Sequence, residues 1–298
     1  MKVATLLSPL TWRKSFAFLR KPDRAHIPVR ISCHTLRMDI RYHHTPLSPR
    51  MTVLITHGYA EHSGRYQPLI KAFLDAGYDV ASYDLRQHGT AYDTARPQAC
   101  VDVAQLIDDH LAVRAAVSQN MRTHSLALLG HSMGGVITAA SAQKDPSGIS
   151  AVMLSAPALR QFPAVPLPLA KALRLLATAI PHLPTVKLSS ADISHDPAIV
   201  SDYDSDPLNY RGPVPLLTAA SLALTGTQVL HRSWPARVPL FIAHGTADKL
   251  ADIRGSETLA NLAHTQLTTV DGAFHEIFNE PEAPELRKTM LNWLEQQV

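Results

Sequence analysis

The chain is short of cysteine, of net charge and of apolar runs long enough to matter to a membrane, and each shortage removes a class of protein. Only Cys33 and Cys100 occur among 298 residues, far apart and without metal-ligand spacing. That excludes a disulfide scaffold and a cysteine metal site, and it reads as two ordinary thiols of a reducing compartment. No metal and no other cofactor is expected. Lys and Arg number 28 against 25 Asp and Glu, a formal net charge of +3, and they are scattered, so no nucleic-acid footprint is present. Two stretches lack formal charge, residues 123–143 and 212–231. A glycine turn breaks the first, and Pro213, Pro215 and several Ser and Thr interrupt the second, so neither is expected to span a bilayer. Near the N-terminus the apolar residues 3–7 run into Pro9, Arg13 and Lys14 with no small-residue cleavage site. This predicts a cytoplasmic rather than a secreted chain.

What is present points to a single α/β domain carrying an insertion. A 46% hydrophobic content over this length can bury a large core. Strand periodicity is found at residues 37–42, 52–56, 79–83, 126–129, 151–155, 239–243 and 266–270, with helical patterns between most of them, which predicts a mostly parallel central sheet with helices on both faces. The clearest helix begins at the N-cap Asp102 and places Val103, Leu106, Ile107, His110, Leu111 and Arg114 on one face, with Asp108 and Asp109 outside it. An amphipathic segment, 286–294, closes the chain. Residues 157–235 break the rhythm: they hold eleven of the twenty-two prolines and read as short apolar helices at 167–180 and 216–230. They are expected to form an inserted helical cap, with a core at 31–156 and 236–298 and a leader at 1–30. The cap's apolar density suggests a greasy inner face over a site; the alternative is simple packing on the core. In the leader, Trp12, Phe16, Phe18 and Leu19 alternate with Arg13, Lys14, Arg20 and Lys21, a mixture that suits either an interfacial helix or a loosely packed arm.

Chemistry enters where the apolar run 126–129 ends in Gly130-His131-Ser132-Met133-Gly134-Gly135. Glycines on both sides of a serine, between a strand and a helix, describe a nucleophile elbow that lifts the hydroxyl above the sheet. A serine needs a base, and the base needs an acid to hold its tautomer, in the chain order Ser, Asp or Glu, His. Asp248 lies just beyond strand 239–243 and His275 in the loop after strand 266–270, so Ser132, Asp248 and His275 are the predicted catalytic residues. Asp252 and, less well placed, Asp271 compete for the acid, while His131 and His244 read as structural. The oxyanion hole requires two backbone donors; Met133 supplies one and Tyr59, in the turn after strand 52–56, the other.

Together, His57-Gly58-Tyr59-Ala60-Glu61-His62-Ser63-Gly64-Arg65-Tyr66, the elbow, the Asp248 loop and Gly272–His275 resemble the monoacylglycerol lipase and lysophospholipase branch of the α/β-hydrolases, from about residue 35 to the C-terminus. Ser205-Asp206-Pro207-Leu208 resembles a segment of that family's cap. The resemblance implies an α/β-hydrolase fold, the triad and oxyanion donors just named, and hydrolysis of a single-chain lipid ester, with monoacylglycerol as the expected substrate. It also leaves room for a lysophospholipase, a broad carboxylesterase, a peptidase of the same fold or a non-catalytic binding protein. Peripheral contact with a lipid surface would fall to the cap or the N-terminus. The chain departs from the family at Asp84-Leu85-Arg86-Gln87-His88-Gly89-Thr90-Ala91, where Gln87 replaces a glycine and Ala91 a serine. Ala60 replaces another glycine, narrowing the approach to the oxyanion hole. A positive φ at Gln87 would cost about 1 kcal/mol.

Overall fold

A computed structural model of the chain describes residues 29–33, 36–161 and 164–298. Its strands are β1 (Val29–Cys33), β2 (Leu36–His43), β3 (Thr52–Thr56), β4 (Asp79–Ser82), β5 (Leu126–His131), β6 (Ala151–Ser155), β7 (Leu240–Gly245) and β8 (Leu267–Val270). They form one sheet in the order β1-β2-β4-β3-β5-β6-β7-β8. From β4 to β8 the neighbours are parallel, while β2 runs antiparallel to β4 and β1 antiparallel to β2. Every residue of β3 to β7 is buried, which is why these strands read as unbroken apolar runs: a strand covered on both faces has no polar side.

The helices are α1 (Gln67–Asp75), α2 (Val103–Asn120), α3 (Met133–Lys144), α4 (Leu167–Ala179), α5 (Pro197–Ser205), α6 (Leu216–Leu230), α7 (Ile253–Leu262) and α8 (Ala283–Glu295). Alternation along the strands divides the core between the two faces. Leu54, Leu128, Leu154 and Ile242 pack with Leu106 and Val113 of α2, Val136 and Ile137 of α3 and Leu259 of α7. Val53, Leu129, Met153 and Phe241 pack with Leu69, Ile70 and Phe73 of α1 and Leu286, Met290 and Leu294 of α8. Truncating a fully buried ring such as Phe73 to Ala would cost about 3–5 kcal/mol in lost transfer energy and cavity.

Among the described residues no strand of the sheet lies between Ser155 and Leu240; α4, α5 and α6 occupy that interval. Leu173 and Ala177 of α4 meet Leu216 and Ala220 of α6 in a small separate core. The segment is tied to the main body by side chains of α6: Thr218 Oγ1 accepts from the Val101 N–H at 2.9 Å and Ser221 Oγ from the Val103 N–H at 3.1 Å. No helix among the described residues is long and apolar enough to cross a membrane.

Several expectations need correction. Strand structure begins at Val29, inside the stretch assigned to the leader; the aromatic and basic residues at 11–21 lie outside the described residues. Asp102 does cap α2, accepting from the Ala104 N–H at 3.1 Å, but Asp109 is buried, not outside the apolar face. It receives Arg86 in a two-pronged ion pair at 2.8 and 2.7 Å, a partner from the loop after β4 that helical periodicity cannot register. Helix α5 falls between the two helices foreseen in the insertion. Its signal was Asp196-Pro197: Asp196 caps the Ala198 N–H at 2.8 Å and Pro197 occupies the first turn.

Candidate active site

Strand β5 runs into α3 through a turn with no room for side chains. A Cβ on Gly134 would collide with the carbonyls of Thr56 and His57, so only glycine lets the helix start this close to the sheet. The turn holds Ser132 at φ 52° and ψ −119°, a strained conformation for a residue with a side chain. It is pinned on both sides: the Ser132 N–H donates to the Ser155 carbonyl at 3.0 Å, and the Ser132 carbonyl accepts from Ala158 at 3.1 Å.

The loops after β7 and β8 open at the same edge. Ser132 Oγ lies 2.8 Å from His275 Nε2, and His275 Nδ1 lies 2.7 Å from Asp248 Oδ2. Asp248 is saturated: its Oδ1 accepts the N–H groups of Leu250 and Ala251 at 2.7 and 3.0 Å, and His244 Nε2 approaches Oδ2 at 3.1 Å. Burial alone would raise the Asp248 pKa, but the charge of His275 and the bonds from both histidines hold it well below the usual carboxylate range. His275 runs the other way: burial would lower its pKa, yet the Asp248 charge and hydrogen bond lift it above its ordinary value. His131, with its ring 4.8 Å from that of His275, is pushed down to about 4 by burial and then by the charge of His275.

The competitors are elsewhere. Asp252 caps α7 and pairs with Arg160 and Arg254 at 2.9 and 2.7 Å, and Asp271 accepts from Thr246 Oγ1 at 3.1 Å. His244 is fully buried as expected of a structural residue, but it also holds the Asp248 carboxylate, a contact its position four residues upstream could have suggested.

Tyr59 and Met133 both adjoin Ser132, the first through Gly58, whose added Cβ would stand 3.2 Å from Ser132 Cβ, the second as its chain neighbour. Neither backbone N–H has a protein acceptor among the described residues. The turn carrying Tyr59 is held by groups that the spacing of the motif did not reveal. Glu61 accepts from the Gly58 N–H at 2.6 Å, from Tyr66 Oη at 2.7 Å and from Arg65 at 2.9 Å. Arg65 in turn grips Glu276, next to His275, at 2.5 and 2.8 Å. Burial would raise the Glu61 pKa, but Arg65 brings it down to about 2. One buried arginine therefore ties the turn of Tyr59 to the loop of His275.

Above these residues is a cavity of about 860 Å³, within the range of small-molecule sites. Its floor includes Gly58, Tyr59, Ser132 and His275; its upper walls are supplied by Leu173, Val186, Leu188, Ile193, Leu216 and Ala220 among others. The inner face of the insertion is thus apolar, and Leu173 lies on it. Another hollow, of about 1090 Å³, lies between α1 and α8 and contains none of the three triad positions.

A three-layered sandwich of helices and mostly parallel sheet, with a hydrogen-bonded Ser-His-Asp chain at the carboxyl ends of its strands, defines an α/β-hydrolase of the serine hydrolase class. Comparison with known proteins narrows this. A family model described as serine aminopeptidase, S33, matches residues 47–282, and the chain belongs to that family. It is 31% identical to the monoacylglycerol lipase of Mycolicibacterium smegmatis over 249 residues, 83% of this chain and 88% of that protein. It is 27% identical to the monoglyceride lipase of Homo sapiens, covering 87% of this chain and 86% of the relative. The crystal structure of Paleococcus ferrophilus monoacylglycerol lipase superposes with a TM-score of 0.76 at 25% identity, over 88% of this chain and 99% of that one.

Proposed function

We propose that the chain hydrolyses the ester bond of single-chain lipids, monoacylglycerol first among them, through an acyl-enzyme on Ser132. The observation that carries this reading is the Ser132–His275–Asp248 chain opening into a cavity with apolar upper walls. In this mechanism His275 Nε2 takes the proton of Ser132 as its oxygen attacks the ester carbonyl, and Asp248 holds the Nδ1–H and stabilises the imidazolium that results. The amides of Tyr59 and Met133 receive the developing oxyanion. His275 then protonates the departing glycerol oxygen, and water, deprotonated by the same nitrogen, releases the fatty acid.

A lipid substrate is further supported by the outer surface of the insertion. Seven of the eleven large apolar side chains that lie exposed among the described residues fall between Leu169 and Leu188, with Leu175 at 73% and Leu176 at 50% exposure. Val186 and Leu188 line the cavity, and the other five, Leu169, Leu175, Leu176, Ile180 and Leu183, lie outside it; an exposed apolar patch of this kind, continuous in sequence with the cavity wall, fits contact with a lipid surface from which the substrate enters. The chain would then act in the cytoplasm, at the face of a membrane that no helix among the described residues is long and apolar enough to cross.

The test is a panel of monoacylglycerols, lysophospholipids, p-nitrophenyl esters of several lengths and aminoacyl anilides, run on wild type and Ser132→Ala. Ser132-dependent turnover with the highest kcat/KM on long-chain monoacylglycerols is expected. Turnover confined to anilides, or surviving in Ser132→Ala, would overturn the proposal.

A further inference from the structure

The Ser205-Asp206-Pro207-Leu208 segment lies over the turn that carries Tyr59, and it does more than cover it. Ala60 sits at φ 64°, the left-handed region that a residue with a Cβ avoids. Its carbonyl accepts two hydrogen bonds from the insertion, one from the Tyr210 N–H at 3.0 Å and one from Tyr203 Oη at 3.1 Å. Two residues on, His62 Nε2 stands 2.8 Å from Asp206 Oδ2. The tautomer follows from the other ring nitrogen: Nδ1 accepts from the Gly64 N–H at 3.1 Å, so Nε2 carries the hydrogen and donates it to Asp206. The Tyr203 ring also lies under the Arg65 guanidinium, 4.9 Å from its centre, and the Tyr59 ring meets Tyr210 edge-on at 6.3 Å.

The turn is therefore held from two sides. From the core, Glu61 fixes the Gly58 N–H; from the insertion, Tyr203, Asp206 and Tyr210 fix the Ala60 carbonyl and His62. The peptide between these fixed points contains the Tyr59 N–H. The core holds one edge of that peptide, because His57 Nε2 accepts from the Leu85 N–H and its Nδ1 therefore donates to the Gly58 carbonyl at 2.8 Å; on the Ala60 side the insertion's bonds oppose rotation, and the left-handed Ala60 gives the backbone reason to relax there, tilting the Tyr59 N–H, once the insertion lets go.

We infer that Tyr203 and Asp206 are positioning residues for the oxyanion hole: docking of the insertion sets the direction of the Tyr59 N–H, so that cover and catalytic power are coupled. This rests on the reading of Tyr59 as an oxyanion donor. Tyr203 and Asp206 act through Ala60 and His62 and need not touch the reacting atoms.

The test compares wild type, Tyr203→Phe, Asp206→Ala, Asp206→Asn and Ser132→Ala. Turnover of a short soluble ester is measured together with the affinity of an alkyl trifluoromethyl ketone, which becomes a tetrahedral oxyanion on the serine. Tyr203→Phe keeps the ring against Arg65 and removes only the hydroxyl; Asp206→Asn keeps an acceptor for His62. A drop in kcat of about tenfold is expected for Tyr203→Phe and Asp206→Ala, since misplacing a catalytic group by an ångström can cost a hundredfold. KM should stay within about twofold, ketone affinity should fall in step with kcat, and Asp206→Asn should recover most of both. Loss of ketone affinity in Ser132→Ala but none in Tyr203→Phe or Asp206→Ala would overturn the positioning role while leaving the oxyanion reading intact. Equal ketone affinity in wild type and Ser132→Ala would instead sink the reading of Ser132 as the nucleophile, and with it the proposed function on which the inference rests. A rise in KM at constant kcat would assign both residues to substrate binding and overturn the inference too.

Discussion

The floor and the roof of the cavity are built from opposite materials. The floor is made of strand ends and their loops, where the carboxylates are buried and saturated: Asp248 with four donors, Glu61 with three, Asp84 with Ser63, Thr90 and Arg41. The roof is mainly leucine, valine, isoleucine and alanine, with Lys187, Ser190, Asp204 and Arg211 set among them, and further leucines lie exposed on its outer side. A matched network has one low-energy arrangement, because any displaced group is left desolvated and unpaired. An apolar wall tolerates many, because dispersion and transfer energies are non-directional. The contrast assigns reaction type to the floor and acyl-chain choice to the apolar part of the roof, with Tyr203 and Asp206 of the insertion joining the two, and each of the following experiments strains that division.

The largest effect belongs to the floor. Ser132→Ala should lower ester hydrolysis by about 10⁴-fold or more, the scale seen when a nucleophile is removed from a triad. The unfolding midpoint should stay near that of wild type, since alanine keeps the same backbone strain and the side-chain hydrogen bond lost is that to His275. In the active enzyme His275 must be unprotonated to act, and its pKa is raised by Asp248 against the pull of burial. Activity should therefore rise with pH through a limb lying above 6.5. A limb below 6.5 would show that Asp248 does not carry its charge in the working enzyme.

Next in size is the roof. Leu173 lines the cavity, whereas Leu176 on the same helix is half exposed and is not among its lining residues. Leu173→Asp should raise KM for a long-chain monoacylglycerol about tenfold, the order expected for placing a charge beside an acyl chain, and leave kcat for p-nitrophenyl acetate within about twofold. Leu176→Asp should spare both soluble assays and weaken binding to liposomes. If Leu173→Asp depressed kcat on the short ester as strongly as on the long one, floor and roof would not be separable in this way.

A third experiment reaches the floor through acid. His57, His88, His110 and His131 are buried among the core elements, none of them in the insertion, and burial lowers the pKa of each, to about 4 for His88 and His131 and about 3 for His110. His57 shows why protonation is costly: its Nε2 accepts the Leu85 N–H at 2.8 Å, an acceptor role the charged ring cannot play. A folded pKa below the unfolded value means that the native state binds fewer protons. Stability is then complete above about 6.5 and declines as the pH falls through the interval toward 4. His275, with its raised pKa, contributes in the opposite sense, losing its share as pH rises through the folded value. The unfolding midpoint should drop by about 5 °C or more between pH 7 and pH 5; a flat profile would mean that these rings open to water without disturbing the floor.

The same contrast governs what could be read from the chain. Strands β3 and β6 coincide with their apolar runs because burial on both faces leaves a contiguous signal. Ser132, Asp248 and His275 are marked by turns at strand ends, where position along the chain translates directly into position at one sheet edge. Glu61, Arg65 and Glu276 are different: Arg65 and Glu276 are 211 residues apart in sequence, and nothing local distinguishes a glutamate that will be buried on an arginine from one that will face water. Asp109 was misjudged for the same reason, since a helical period records which residues share a face but not which loop will arrive there with a guanidinium. In the roof the apolar helices α4 and α6 were legible to within a residue, whereas α5 and the polar contacts by which the insertion meets the core were not, because their partners come from distant loops.

The smallest effect tests whether the departures from the family motif are tolerated or built in. Gln87 stands at φ 60°, where a side chain costs about 1 kcal/mol over glycine. Its Nε2 is buried without a partner among the described residues, a further debit, while its Oε1 accepts the Asp93 N–H at 3.2 Å, a long bond worth about 0.5 kcal/mol. Gln87→Gly removes the strain and the orphaned amide but gives up the Asp93 bond and adds backbone freedom to the unfolded chain, about 0.5–1 kcal/mol. These contributions nearly cancel, so the change in unfolding free energy measured with denaturant should stay within about 1 kcal/mol of zero, and hydrolysis of a short ester should be unaffected. Ala60→Gly, at φ 64°, has the same strain to release and no side-chain bond to lose. A loss above about 2 kcal/mol in Gln87→Gly would mean that the glutamine amide holds the loop after β4 in place, and that the floor at this position depends on the very residue that departs from the family.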